Sequence, residues 1–454
     1  MPTSPRATAL TVLLEVERGA SAAAALDAAL AGSELDARDR ALVTEFVDGT
    51  LRWQGRLDYL LAALLTRPLA TLEPPLRLLL RLGAYQLTQM RIPAHAAVHE
   101  TVALARQHGH EGTATVANAV LRRLAREAEA IPLPDPTQEP VAYLATAHSH
   151  PAWLVERWLA RWGFAETEAL LQANNLPSPQ ILRVNGRWIS REGLQVILAQ
   201  RGIDTEPTAI SPRGLRIRSG GNLRALEEYR EGLFSLQGEG SMVMVELLNP
   251  AKDRAGWDLA AGVGGKTTYL AEWVDDSGTL LATDTSTGRL AVLTQELARL
   301  ELQSVTVAAA DARTHPVPAD SLDYAFLDAP CSGTGALRRQ ADARWRKAPA
   351  DLHALPCLQG ELLASAARAC HAGGLLLYCT CSLEPEENEQ VVEAFLATHP
   401  DWRLEPAGRK HRTLPAEARD PAGYVRLLPH RDGTDGFFAA RLVKCGVPPA
   451  ESGA

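Results

Sequence analysis

The chain has 454 residues, more than one domain ordinarily holds, so two or three domains are expected. Hydrophobic residues (46%) and charged residues (22%) are in ordinary globular proportion, which excludes a disordered chain. With 54 Asp plus Glu against 46 Lys plus Arg, the net charge of −8 excludes a uniformly basic nucleic-acid binder but leaves room for a local basic groove. The acid is unevenly placed: residues 1–130 carry fourteen Arg against fourteen acids and residues 151–240 eleven cations against ten, so the surplus lies after 240.

Residues 1–130 read as helix after helix. TALTVLLEVE, DRALVTEFVDGTLRW, LDYLLAALLT, PPLRLLLRLGAYQLTQM and HAAVHETVALARQ repeat apolar residues at three- and four-residue intervals, with breaks at Gly32, Pro68, Pro74–Pro75, Pro93 and Gly109. Residues 131–150 read as a linker, opening on IPLPDPTQEP with four prolines in ten residues. Residues 151–235 suggest a small α+β module: the amphipathic PAWLVERWLARWG, whose Trp153, Trp158 and Trp162 fit core packing, precedes strand-like ILRVN, GLRIR and GLFSLQ and helix-like REGLQVILAQRG. Residues 236–446 form the third domain, followed by a tail at 447–454. There GWDLA, GTLLATD, SVTVAAAD, LDYAFLD and GGLLLYCT alternate with helical segments, which predicts a doubly wound parallel sheet of Rossmann-like type.

Ligands of such sheets bind at the carboxyl ends of the strands. Those ends carry Ala260–Lys266, Asp284, Asp311, Asp328–Cys331 and Cys379–Ser382. Gly265-Lys266-Thr267 suggests a P-loop, but that motif needs Gly where Ala260 stands; a nicotinamide fingerprint needs Gly where Thr267 stands. What remains is a Gly262-x-Gly264-Gly265 turn between strand and helix, where a ligand can approach the backbone closely. Asp284 is suited to ribose hydroxyls and Asp311 to an adenine amino group. Taken singly, each acid is more often a loop or cap residue. Together they predict a nucleoside cofactor without pyrophosphate, S-adenosylmethionine.

All six cysteines follow residue 330, unlike those of a secreted disulfide scaffold, and no pair has zinc-finger spacing, so no metal is expected. With too short an apolar run before Glu15 for a signal peptide and no 18-residue apolar stretch, a cytoplasmic protein without membrane attachment is expected. An isolated Cys is usually a small buried hydrophobe. Two at neighbouring strand ends, in Asp328-Ala-Pro-Cys331-Ser-Gly-Thr-Gly and Tyr378-Cys-Thr-Cys381-Ser-Leu-Glu-Pro-Glu-Glu-Asn388, point instead to chemistry. Cytosine C5 is a poor nucleophile until a thiolate adds at C6; the C5 proton must later leave so that the thiol is eliminated. Asp328 is placed to hold the base by its N3/N4 edge.

These motifs resemble the RsmB/Sun/Fmu family of RNA (cytosine-5) methyltransferases, which act on small-subunit (16S) rRNA. The resemblance covers nearly the whole chain: LRLGAYQLTQMRIPAHAAVHETV and ANAVLRRLARE resemble a NusB-like RNA-binding domain, HPAWLVERWLARWG, NNLPSP and ILRVN the family's middle module, and DAPCSGTG, CTCSLEPEEN and DGFFAARLVK its class I methyltransferase domain. It implies that Cys381 is the nucleophile, that Cys331 assists proton removal and release, and that Ala260, Ala261, Gly262, Val263, Gly264, Gly265 and Lys266 with Asp284, Asp311 and Asp328 bind S-adenosylmethionine. Cys379 stands where the family usually has Ala and receives no role. Gly262-Val263 replaces the family's usual Ala-Pro, and Ala341 stands where its Arg-Arg-x-Pro-Asp pattern has Pro.

RRQADARWRK follows the Pro-Cys motif and places Arg338, Arg339, Arg344, Arg346 and Lys347 around Trp345, as expected for RNA phosphate contacts. Arg213, Arg216 and Arg218, and Arg122, Arg123 and Arg126, fit ordinary surface charge slightly better. The expected partner is small-subunit rRNA and the expected state a monomer. Transfer RNA as the substrate, or a non-catalytic ribosome-assembly factor, are the alternatives.

Overall fold

The computed structural model describes residues 4–314 and 317–446, so the tail at 447–454 lies outside the described residues. The chain divides into two compact units, residues 1–176 with 337–347 and residues 177–336 with 348–454.

The first unit is helical: Pro5–Glu17, Ala22–Ala31, Ala37–Arg52, Gln54–Ala62, Pro74–Thr88, Ala94–Gln107, Glu111–Glu127, Pro140–Ala147 and Ala152–Asn175. Ser4, Ser21 and Asp36 start three of these helices by accepting the N–H groups of Ala7, Ala24 and Asp39. Pro5, Pro74 and Pro140 occupy first-turn positions, where the missing N–H costs nothing. The core is aliphatic, with Leu10, Leu13, Val43, Leu79, Leu82 and Leu121 among its buried members. Gly49 lets two helices approach closely: a Cβ there would lie 2.0 Å from the Tyr85 ring. Ala22–Ala31 has too many alanines to show a clear periodicity. Proline-rich 131–139 is irregular, but Pro140 begins a helix rather than continuing a linker. The tryptophan-bearing segment packs with this unit, breaks at a kink at Gly163 (φ 76°) into two helices and buries Trp158.

In the second unit, β1 (Ile181–Val184), β2 (Asp204–Pro207), β3 (Gly214–Ser219) and β4 (Phe234–Leu236) form an antiparallel sheet ordered β2-β3-β1-β4. β2 is a polar edge strand, DTEP, without the apolar alternation that marks a strand in sequence. The main sheet is built on β5 (Ala255–Asp258), β6 (Thr279–Asp284), β7 (Val305–Ala309), β8 (Leu322–Asp328) and β9 (Cys370–Thr380), paired in parallel in the order β7-β6-β5-β8-β9.

The five strands expected in parallel are parallel, and three further strands make the whole sheet mixed. After β10 (Trp402–Glu405) and β11 (Val425–Leu427), β12 (Phe437–Lys444) pairs antiparallel with β9, β10 and β11. Without β12 the long apolar strand β9 would be an open edge. The chain runs outward from β5 to β7 and then returns to β8 on the other side of β5. That reversal makes β5/β8 the switch point where the strand ends open a crevice.

Candidate active site

The loop after β5 turns sharply into the helix Gly265–Trp273. Gly262 (φ 57°) and Gly264 (φ 89°) are both left-handed, a conformation that strains other residues. The loop is fixed by Gly262 N–H donating to Asp284 Oδ2 (3.0 Å) and Gly264 N–H to Ala261 O (2.9 Å). From β1, the buried Arg183 guanidinium clasps Glu272 with two nitrogens (3.0 and 2.7 Å) and donates to Gly265 O (2.7 Å), so the middle sheet braces the helix behind this loop.

Asp284, at the end of β6, is buried and accepts from Gly262 N and Ser286 N. A carboxylate offers about four acceptor positions, which leaves positions suited to ribose hydroxyls beside a glycine backbone with nothing within 4 Å of a Cβ at Gly262. These residues fit the nucleoside end of S-adenosylmethionine. Asp311 follows β7 as expected, but its carboxylate is held by Arg313: Nη2 reaches Oδ2 at 2.7 Å and the backbone N reaches Oδ1 at 3.0 Å. That pairing keeps Asp311 below the usual carboxylate range.

Asp328 ends β8 and receives Lys266 Nζ at 2.5 Å and the Cys379 thiol at 3.7 Å. Burial opposes the lysine charge, but Asp328 and the nearby thiols outweigh it and hold Lys266 above its ordinary value. Burial pushes the Cys379 thiol well up, so it serves as a neutral donor. Asp258, beneath the loop, is fully enclosed: Thr267 Oγ1 donates to its Oδ2 (2.6 Å), Oδ1 has no side-chain partner, and burial pushes its pKa up to about 7.

The two motif cysteines come together. Cys331 Sγ and Cys381 Sγ lie 3.4 Å apart, on adjacent loops after β8 and β9. Gly333 (φ 70°) turns the first loop, and a Cβ there would lie 3.9 Å from Cys381 Sγ. The hydrogen bond with Cys381 and burial push Cys331 well above the ordinary thiol value.

Beneath them lies a carboxylate that sequence reasoning missed. Glu387 is fully buried; Oε1 accepts from Ser332 N (2.7 Å) and Gln359 Nε2 (3.0 Å), and Oε2 from Ser382 Oγ (2.5 Å) and Ser332 Oγ. The signal was the repeated Cys-Ser in both motifs followed by an acid-rich Glu384–Glu387.

The cationic stretch after the Pro-Cys motif belongs to the helical unit. Expected as an RNA contact, Arg344 is instead buried (1% exposed): it donates to Arg52 O (3.0 Å), Ser149 O (2.8 Å), Asn175 Oδ1 (2.8 Å) and Asn174 O (3.2 Å), and burial leaves no exposed edge for a phosphate. Trp345 donates to Leu51 O (2.7 Å), and Arg346 pairs with Asp342 (2.5 Å). Arg338 donates to Leu176 O (3.3 Å), Arg339 is exposed and Lys347 is half-buried.

No described helix is long and apolar enough to cross a membrane, and the described residues contain no cluster of three or more His, Cys, Asp or Glu arranged to hold a metal. Residues 245–443 match the family described as 16S rRNA methyltransferase RsmB/F, residues 3–126 the NusB family, and residues 150–224 the ferredoxin-like domain of RsmF/B-like methyltransferases. The chain is 34% identical over 450 residues to the probable ribosomal RNA small subunit methyltransferase B of Bacillus subtilis, covering 98% of this chain and 99% of that one. It is 38% identical over 446 residues to ribosomal RNA small subunit methyltransferase B of Pseudomonas putida, covering 97% and 98%. Among solved structures, PH0851 superposes with a TM-score of 0.82 at 28% identity, covering 98% and 99% of the two chains; a methyltransferase homologue from Pyrococcus horikoshii gives 0.59 at 27%, covering 67% and 99%. Matched almost end to end by relatives at 34% and 38% identity, the chain belongs to the RsmB/F family of small-subunit ribosomal RNA methyltransferases.

Proposed function

We propose that this methyltransferase acts on C5 of a cytosine in 16S rRNA through a covalent bond between Cys381 and C6. The observation that carries the reading is the Cys331–Cys381 pair, 3.4 Å apart and on loops adjoining Asp328. Ala260–Lys266 with Asp284 would hold S-adenosylmethionine, and Asp311 stands at the same rim with its carboxylate on Arg313. When bound, that cofactor supplies an electrophilic methyl group.

The chain's own residues do the rest. A base-paired target is swung out of its helix to reach the crevice. Asp328 orients the base by its N3/N4 edge, with Lys266 steadying the carboxylate. Cys381 Sγ bonds to C6, which makes C5 nucleophilic toward the methyl group. After methylation the C5 proton leaves, the C6–S bond breaks and Cys381 is freed; Cys331 assists proton removal and release. Arg338, Arg339, Arg346 and Lys347 are proposed as phosphate contacts, and Arg344 is not.

Bisulfite sequencing of total RNA from cells with and without the protein tests this. Loss of one protected 16S cytosine is the expected result. Loss confined to transfer RNA would move the substrate, and no loss at all would leave a non-catalytic assembly role.

A further inference from the structure

The two thiols sit on separate loops, one after β8 and one after β9, and neither backbone by itself holds them 3.4 Å apart. A direct ladder joins the strands below, ending with Ala329 N donating to Cys379 O (2.8 Å); beyond it Gly335 N donates to Cys381 O (2.8 Å). Cys331 and Ser332 lie between these two ties on the first loop, while on the second Cys381 is itself part of the upper tie and Ser382 follows it. Both serines are buried, and both hydroxyls end on one oxygen of Glu387, 3.1 Å from each other.

The other oxygen takes Ser332 N and the Gln359 amide, so four donors fill the carboxylate's acceptor positions. Gln359 also donates to Pro330 O (2.9 Å), and the two acceptors, Pro330 O and Glu387 Oε1, fix the NH2 side of its amide toward Glu387. Glu387 is itself pinned: Tyr378 OH donates to its carbonyl (2.5 Å), and the neighbouring Asn388 holds Ser382 O (2.9 Å) and Thr380 Oγ1 (2.6 Å). A buried carboxylate saturated by donors from two loops costs much to leave unpaired and so holds both loops in one register.

We infer that Glu387 is the positioning residue of the reaction, a buried clamp that sets the Cys331 and Cys381 thiols against one another through the serine following each. The inference rests on the covalent cytosine mechanism for its catalytic consequence, but not for its geometric one.

The test uses the full chain and two readouts. A trivalent arsenical, phenylarsine oxide, bridges two neighbouring thiols with loss of water, and its rate of reaction across Cys331 and Cys381 is followed without RNA or methyl donor, with Cys331→Ser and Cys381→Ser as blanks. Glu387→Ala is expected to slow bridging at least tenfold. It should also lower kcat at least fiftyfold on a 16S rRNA transcript, with KM for RNA and for S-adenosylmethionine within threefold of the parent. Glu387→Gln keeps an acceptor for Ser332 N and Gln359 and should restore bridging to within threefold. Should Glu387→Ala not fold, the Ser332→Ala/Ser382→Ala pair removes the hydroxyl donors and should produce the same two effects. Parental bridging in the folded variant, or a loss expressed in KM alone, overturns the inference. Normal bridging behaviour with no methylation by the parent chain would instead count against the cytosine reading and leave the clamp standing.

Discussion

Each unit buries an arginine completely, and the two are neutralised differently. In the sheet unit Arg183 meets Glu272 through two nitrogens, both side chains fully enclosed, with Tyr269 beneath the guanidinium. In the helical unit Arg344 rests on three carbonyls and an Asn oxygen with no carboxylate, and burial, aided by Arg52, lowers its pKa to about 9. The helical unit therefore uses a buried charge to fasten an inserted segment. In the sheet unit three buried polar groups lie at the strand-end loops: Arg183 behind the glycine turn, Asp258 beneath it, Glu387 beneath the thiols.

If that division of labour is right, substitutions in the two units should separate activity from stability. The largest effect belongs to Cys381→Ala, expected to lower methyl transfer more than a thousandfold with an unchanged melting temperature; Cys331→Ala should leave a protein–RNA adduct visible on a denaturing gel. A full turnover rate for Cys381→Ala would break the comparison at its strongest point. Arg344→Ala should do the opposite, costing about 4 kcal/mol of stability in chemical denaturation because several buried acceptors lose their donor. S-adenosylmethionine binding, measured by calorimetry, should persist in the folded fraction.

Asp258 sharpens the contrast through pH. Its folded pKa, about 7, lies above the ordinary 3.8. Between these values the folded state binds more protons than the unfolded one, so stability falls as pH rises from about 4 to 7. The loss is at most about 4 kcal/mol at three pKa units. Asp258→Asn should flatten that slope and raise the melting temperature at pH 8. The smallest effect is expected at Gly262: an alanine meets no neighbour there but must adopt φ 57°, costing about 1 kcal/mol. Cofactor affinity should fall about fivefold by calorimetry.

Much of this was legible in the residues. Apolar runs located β5, β6, β7, β8 and β9 to within a few positions; the inner strands read as near-continuous apolar residues because both faces are covered, while the edge strand β7 is only half-buried. The glycine turn and the two Cys-Ser motifs marked the crevice because left-handed turns and strand-end thiols leave local signatures. β2 was not legible, since an edge strand such as DTEP needs no apolar face. Nor was the inserted stretch around Arg344, because a run of cations has the same local pattern whether solvated or buried.

By itself the sequence determined the order of domains, the kind of sheet at the core of the third, and the residue types brought to its strand ends, since periodicity and turn chemistry act over a few residues. Only the tertiary structure decided that 337–347 leave the sheet unit to fold with the helices, that Arg344 is enclosed by carbonyls, and that Glu387 closes over both serines. Each of these depends on burial among partners distant in sequence, and the free energy of a buried charge or hydrogen bond is set by those partners rather than by its neighbours along the chain.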